Sequence, residues 1–383
     1  MLLQNVSIVG HDGWQSIRLL GDRIAGISLS DNPDGMPSLS FDGALALPGL
    51  INSHDHLDFN LFPALGNHIY GDYTEWGKDI HEQHRTRIAQ VLSIPQPLRT
   101  SWGIYKNLLN GFTTVVNHGA RLDTGPEDLV TVFQDCHCLH SLGTEKRWIW
   151  KLNSWRRRRS PIVLHIGEGT TVTALNEIHR LRRWNLFRRP VIGVHGVAMD
   201  ERQASALRAL VWCPDSNYFL YNRTAPIDRL KSKLSILFGT DSTLSASWNG
   251  WQQLRAALAA GLLTGEELLA ALTYQAAAIW NFPLLGRLEP GYQADLVITR
   301  QTTWYATDPE DLLLVIHRGQ IRLFDASLTA QDFIGKQLLP TGNYHPVIVG
   351  NSIKYVQGDL PGLVAKIRAH DPEATLPIKT YVS

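Results

Sequence analysis

Leu47-Pro48-Gly49-Leu50-Ile51-Asn52-Ser53-His54-Asp55-His56 decides how this 383-residue chain is read. From Leu45 to Ile51 the run is almost continuously apolar. That pattern suits a strand covered on both faces, as parallel sheets require. Pro48 is expected to open the paired strand, because a missing ladder donor is tolerated at a first position. The pattern then turns abruptly polar. In an extended segment, residues i and i+2 point the same way. His54 and His56 therefore project to one side, close enough to hold one ion, while Asp55 points elsewhere. A polar tip directly after a buried parallel strand is where barrel enzymes place their chemistry. This weighs against two unrelated turn histidines.

Downstream, residues 48–284 alternate strand-like and helix-like runs, the βα signature of a parallel barrel. Gly111–His118 reads as the second strand and Cys136–Leu142 as a weak third. Pro161–His165, Pro190–His195, Leu210–Pro214 and Leu234–Asp241 follow, with helices expected over Thr173–Arg183, Gly250–Ala260 and Gly265–Trp280. Seven strands are convincing. Only 46 residues separate His118 from His165, so the fourth strand is expected to be missing or replaced by a helix over Lys146–Arg159. Residues 2–46 are short β-rich runs with turn signals, including Asp31–Gly35, and are too short to stand alone. Matching β-rich runs follow Pro290-Gly291, with hairpins around Arg318-Gly319 and Gly350-Asn351-Ser352. The expected fold is α/β: a distorted TIM-like (β/α) barrel, one strand short, over 48–284. A composite β-sandwich from 1–47 and 285–383 stands beside it.

Three further strands end in side chains suited to metal or acid–base work: His165, His195 and Asp241. With His54 and His56, four strand ends carry such groups. Together they point to a mononuclear or binuclear metal site at the C-terminal mouth of the barrel.

Composition narrows the function. Hydrophobic content of 44% and charged content of 19% suit a globular chain with a sizeable core. A formal net charge of +1 implies no pull toward nucleic acid or membrane. Three cysteines give no disulfide framework. No membrane-length apolar run or leader segment is read, so a soluble, cytoplasmic protein is expected.

The motifs LPGLINSHDH (47–56), GFTTVVNHG (111–119), VLHIGE (163–168), VIGVHG (191–196), FGTDS (238–242) and GRLEPGYQADLVI (286–298) resemble the amidohydrolase superfamily. The resemblance runs from about residue 3 to about 325. Within the superfamily the chain looks most like the deaminase and triazine-hydrolase branch, which binds a single divalent metal. The pointers are Glu168, three residues after His165, and Trp212-Cys213-Pro214-Asp215-Ser216-Asn217. The resemblance implies that His54, His56, His165 and Asp241 ligate one ion, zinc first and iron second. It implies that Glu168 shuttles protons and that His195 acts on the water or polarises the substrate. A bound ion of this kind lowers the pKa of water to roughly 7. The expected activity is hydrolysis of a C–N bond in a small cyclic or heterocyclic molecule, by a deaminase or amidohydrolase.

Two stretches depart from the family pattern. The short span before His165 removes a region that usually contacts substrate. The aromatic-rich 58–84 segment, with Trp76, reads as a specificity lid. His118 and Asn217 are further candidates for substrate contact. His81 and His84 read as solvated residues of a charged helix. Arg156–Arg159, Arg182, Arg183, Arg188 and Arg189 read as exposed helix ends. Cys136-His137-Cys138 lacks the second pair a zinc motif needs. Competing readings are a binuclear enzyme bridged by a carbamylated lysine, for which Lys146 and Lys151 are the candidates, and a non-catalytic scaffold. A homodimer is expected only because symmetric dimers are common.

Overall fold

The computed structural model describes residues 1–28, 35–125, 128–155 and 160–381. Most of the Asp31–Gly35 turn and all of Arg156–Arg159 lie outside the described residues. The apolar run that opens the parallel strands serves two sheets and divides at Gly49. Leu45–Pro48 pairs antiparallel with Leu296–Thr299 and parallel with Ser7–Ile8. Leu50–Asp55 pairs in parallel with Phe112–Asn117. Pro48 thus closes one strand rather than opening the next. A side chain at Gly49 would collide with Thr113 and Asp295, so only glycine lets the chain pass between the two sheets here.

Eight parallel strands follow in chain order. Leu50–Asp55, Phe112–Asn117 and Thr131–Phe133 form a three-stranded sheet. His137–Ser141, Ile162–Ile166, Val191–His195, Ala209–Trp212 and Ser235–Phe238 form a five-stranded one. The stretch expected to lack a strand therefore holds two. Thr131–Phe133 is the third strand, and the segment expected as third is the fourth. Three half-buried residues are too few to show a period. The helix expected over Lys146–Arg159 is confined, among the described residues, to Trp148–Leu152. The expected Gly265–Trp280 helix breaks at Thr273 into Gly265–Leu272 and Tyr274–Trp280.

The first and eighth strands belong to different sheets, and Asn52 bridges them with its side chain. Its Oδ1 accepts from the Thr240 N–H at 3.0 Å, and its Nδ2 donates to Thr240 Oγ1 at 2.7 Å. The Asp241 N–H then donates to the His54 carbonyl at 3.1 Å. At Gly239 an added Cβ would lie 2.6 Å from that of His54. This close approach brings the ends of strands one and eight together.

Strands from both chain ends share one eleven-stranded mixed sheet. Both expected hairpins are present in it, Leu312–His317 with Gln320–Asp325 and Tyr344–Val349 with Ser352–Gln357. One face packs Leu3, Ile17, Ala46, Ile298, Ile316 and Phe324 into a shared core. Burial of this kind yields roughly 25 cal/mol per Å² of apolar surface. Arg189 departs from its expected exposure. It is buried, and its guanidinium donates to the carbonyls of Leu152 and Ser160. Among the described residues, no helix is long and apolar enough to cross a membrane.

Candidate metal centre

The imidazoles of His54 and His56 do converge, as the i, i+2 spacing requires. Their ring centroids are 4.9 Å apart. His165, at the end of the fifth parallel strand, brings its Nε2 to 3.2 Å from that of His54. One donor atom from each of His54, His56 and His165 lies within 4.8 Å of the others. The same holds for His54, His195 and Asp241. Asp241 Oδ1 stands 4.0 Å from His54 Nε2 and 3.9 Å from His56 Nε2. Four strand ends thus meet around one point.

The electrostatics suit a cation there. Burial pushes His54 and His165 well below the usual imidazole range, and neighbouring imidazoles add to the shift. They stay neutral with lone pairs available, as metal ligation requires. Burial pushes Asp241 up, but His195 and His56 beside it and the Ser242 N–H hold it below the usual carboxylate range. It is therefore an anion beside the neutral imidazole of His54. The ring Nδ1 atoms of His54 and His165 have no hydrogen-bond partner. A buried donor set of three imidazoles and one carboxylate fits a zinc-sized ion.

Two residues of the site sit in the left-handed backbone region, His195 at φ 72° and Asp241 at φ 55°. This conformation costs roughly 1–2 kcal/mol per residue, so the surroundings must enforce it. For Asp241 they do so through a buried network. Lys106, from the Gln96–Leu109 helix, donates to the Asp241 carbonyl at 3.1 Å, to Asn60 Oδ1 at 2.8 Å and to Asp55 Oδ2 at 3.2 Å. Asn107 and Asn60 donate to the same Asp55 carboxylate at 2.8 Å each. Asp55, which faces Lys106, Asn107 and Asn60 rather than the histidine cluster, anchors the strand ends that carry His54, His56 and Asp241 to that helix. For His195, Nδ1 lies 2.9 Å from Asn217 Oδ1, which fixes the ring and leaves Nε2 facing the site.

Glu168 lies 3.7 Å from His195 Nε2 through its Oε1, which also accepts the Tyr221 hydroxyl at 3.1 Å. Burial raises its carboxyl above the usual range, while His195 and Tyr221 oppose the rise. A buried carboxyl whose proton is held more firmly than usual suits proton transfer.

A cavity of about 430 Å³ opens over this cluster. Its wall includes His56, His165, Glu168, His195 and Asp241, together with Phe59, Trp76 and Leu244. Trp76 reaches the cavity from the Tyr73–Gln83 helix, where a loop was expected. Asn217 does not line the cavity but holds His195. His118 is not on the wall either. It is buried, its ring stacked on His165 at 4.3 Å with both nitrogens unpartnered. His81, expected in solvent, lines the cavity. So does His140, whose ring lies 5.1 Å from His165. The sequence signal for His140 was that of His165, a histidine near a strand end, but the strand was too weak to give it weight. Lys146 and Lys151 are exposed, and Lys151 pairs with Glu145 at 2.6 Å. Neither belongs to the cluster that a bridging lysine would have to join.

The Amidohydrolase family matches residues 150–322. A 5-methylthioadenosine/S-adenosylhomocysteine deaminase of Caldicellulosiruptor saccharolyticus is 24% identical, covering 87% of this chain and 95% of the relative. Among solved structures, a zinc-bound adenosine deaminase from Xanthomonas campestris is 17% identical. It superposes with a TM-score of 0.69 over 97% of this chain and 98% of its own. Atrazine chlorohydrolase from Arthrobacter aurescens, complexed with zinc, has 17% identity and a TM-score of 0.63, over 84% and 94% of the two chains. With the strand-end histidines, the Asp241 carboxylate and Glu168 around one cavity, the chain is similar to amidohydrolases of the deaminase and triazine-hydrolase kind.

Proposed function

We propose that this protein is a zinc-dependent hydrolase that removes an amino group from a small heterocycle. It takes up water and releases ammonia. One ion would be held by His54, His56, His165 and Asp241. The observation that carries this reading is the convergence of those four side chains beside Glu168, in a cavity walled partly by aromatic residues. When bound, the ion supplies an acidified water and polarises the carbon under attack.

The chain's own residues do the rest. Glu168 takes a proton from the attacking water and returns it to the departing nitrogen. Tyr221 holds Glu168 in line. His195, fixed by Asn217, presents Nε2 between Glu168 and Asp241 and steadies the oxygen as it adds. Phe59, Trp76 and Leu244 offer faces to a planar ring and exclude water around it. The relatives' names support a deaminase, and the placement of Lys146 and Lys151 does not favour the binuclear form. We also read the eight strands as a closed barrel over 48–284, with 1–47 and 285–383 as one side domain. The Asn52 bridge and the shared eleven-stranded sheet support that division.

The test is ammonia release from a panel of aminopurines, aminopyrimidines and aminotriazines by zinc-loaded protein. Glu168→Gln should keep its metal and lose on the order of 10²–10⁴ in rate. His165→Ala should lose metal and activity together. A Gln variant with intact metal and near wild-type rate overturns the role of Glu168. Two tightly held ions per chain would overturn the mononuclear site.

A further inference from the structure

The Tyr73–Gln83 helix that covers the cavity is sorted by charge. Thr74, Lys78 and His81 recur at i, i+4 and i+7 and line the cavity, so they share one helical stripe. The acids of this segment, Asp72, Glu75, Asp79 and Glu82, are absent from the cavity wall. Three of them are engaged elsewhere. Asp72 caps the helix by accepting from the Thr74 and Glu75 N–H groups. Glu75 accepts from the Gly71 N–H at 2.6 Å, and Asp79 accepts the Tyr70 hydroxyl at 2.7 Å.

The wall is therefore electrically divided. Its only carboxylates among the described residues are Glu168 and Asp241, both at the metal end. Lys78 lines the lid side, exposed, with no ion pair among the described residues. A cation on the wall of a partly apolar cavity attracts and orients an anion. A neutral heterocycle would leave that charge unused.

We propose that the substrate carries an anionic group, carboxylate or phosphate, and that Lys78 receives it while the ring lies against Trp76 and Phe59. His81, one turn along, offers a second nitrogen to the same group. This deepens the deaminase reading and rests on it for the position of the ring. The inference fixes which end of the substrate faces the lid: the amino group at the metal, the anion at Lys78.

The experiment compares matched pairs on the zinc-loaded enzyme: adenosine with adenosine 5′-monophosphate, and cytosine with a cytosine carboxylate. In the wild type the anionic member of at least one pair should have a kcat/KM about 10-fold higher, the scale of one charge-assisted contact. The carboxylate and phosphate arms distinguish the two sources. Lys78→Met should collapse that ratio mainly through KM, and Lys78→Glu should invert it. Calorimetric binding of the deaminated products, inosine against inosine 5′-monophosphate and uracil against its carboxylate, tests the site without turnover. If ammonia release fails throughout but anionic products bind with Lys78-dependent preference, the deaminase reading falls and the anion site stands. Equal values for both members of each pair, or ratios unmoved by Lys78→Met, overturn the anion site and reduce Lys78 to a solvated lid residue.

Discussion

Tyr221 donates its hydroxyl to Glu168 Oε1 at 3.1 Å, and both side chains are buried. The bond favours the charged form of Glu168 against the burial that raises its pKa. Tyr221→Phe removes it while keeping the ring. The Glu168 carboxyl should then titrate at still higher pH. The rising limb of kcat/KM governed by this carboxylate should move up, and the rate at neutral pH should fall several-fold. A pH–rate profile superimposable on that of the wild type would refute the link.

Lys106 and Asp55 form a second relationship, an ion pair at 3.2 Å beneath the proposed metal site. Both are buried, and the pair ties the helix to the strand ends that carry His54, His56 and Asp241. Removing one partner of a buried pair typically costs 3–5 kcal/mol, because the other is left uncompensated. Lys106→Met is expected to lose about that much stability in urea denaturation. It also releases the Asp241 carbonyl, so metal affinity should fall by roughly 10–100-fold in chelator competition. Adding Asp55→Asn should recover part of the stability. A single variant that is as stable and as metal-tight as the wild type would show the network to be incidental.

Glu177 gives the fold a pH dependence of its own. Burial raises its carboxyl to about 7, although Tyr73 and the Gly167 N–H both donate to it. The folded state therefore keeps a proton that the unfolded chain releases near its ordinary value of 4.5. The unfolded state binds fewer protons in that window, so stability falls as pH rises from about 4.5 to about 7 and levels off beyond. The loss amounts to roughly 3 kcal/mol by linkage. Denaturation midpoints at pH 5 and pH 8 measure it, and Glu177→Gln should flatten the difference. An unchanged slope in the variant would assign the effect to another group.

The convergence of the histidine cluster and Asp241 was legible because its signal is local. Each of His54, His56, His165, His195 and Asp241 lies within five residues of the end of an apolar run, so strand and chemistry are read in one window. Thr131–Phe133 was not legible, since three residues carry no period. The contacts of Lys106 and Tyr221 were hidden for a different reason. Their partners lie far along the chain, 135 residues in the case of Lys106 and the Asp241 carbonyl and 53 for Tyr221 and Glu168. His118 shows the limit of the strand-end rule. It follows an apolar run like the others, yet packs behind His165 instead of lining the cavity.

Metal removal should expose how far the site supports the fold. His54 and His165 are buried and kept neutral, with pKa values below the ordinary 6.5. An unfolded chain protonates them near that ordinary value, so their contribution is present above pH 6.5 and is lost as pH falls. Zinc bound to the neutral rings adds to stability in the same direction. A ligand at 1,000 times its dissociation constant adds about 4 kcal/mol to the folded state. Chelated protein at pH 7.5 should therefore melt several degrees lower than zinc-loaded protein, and adding zinc should restore the midpoint. At pH 5.5 both melting points should fall, because the unfolded chain takes up protons that the buried rings do not. Asp241→Asn removes the anion of the donor set without adding a titrating group, so its gap should be smaller at both pH values. Thermal melts of loaded and chelated protein, with zinc counted per chain, decide the matter. A melting point indifferent to chelation at pH 7.5, in protein that had held one zinc per chain, would mean that the cluster binds its ion without coupling to the fold.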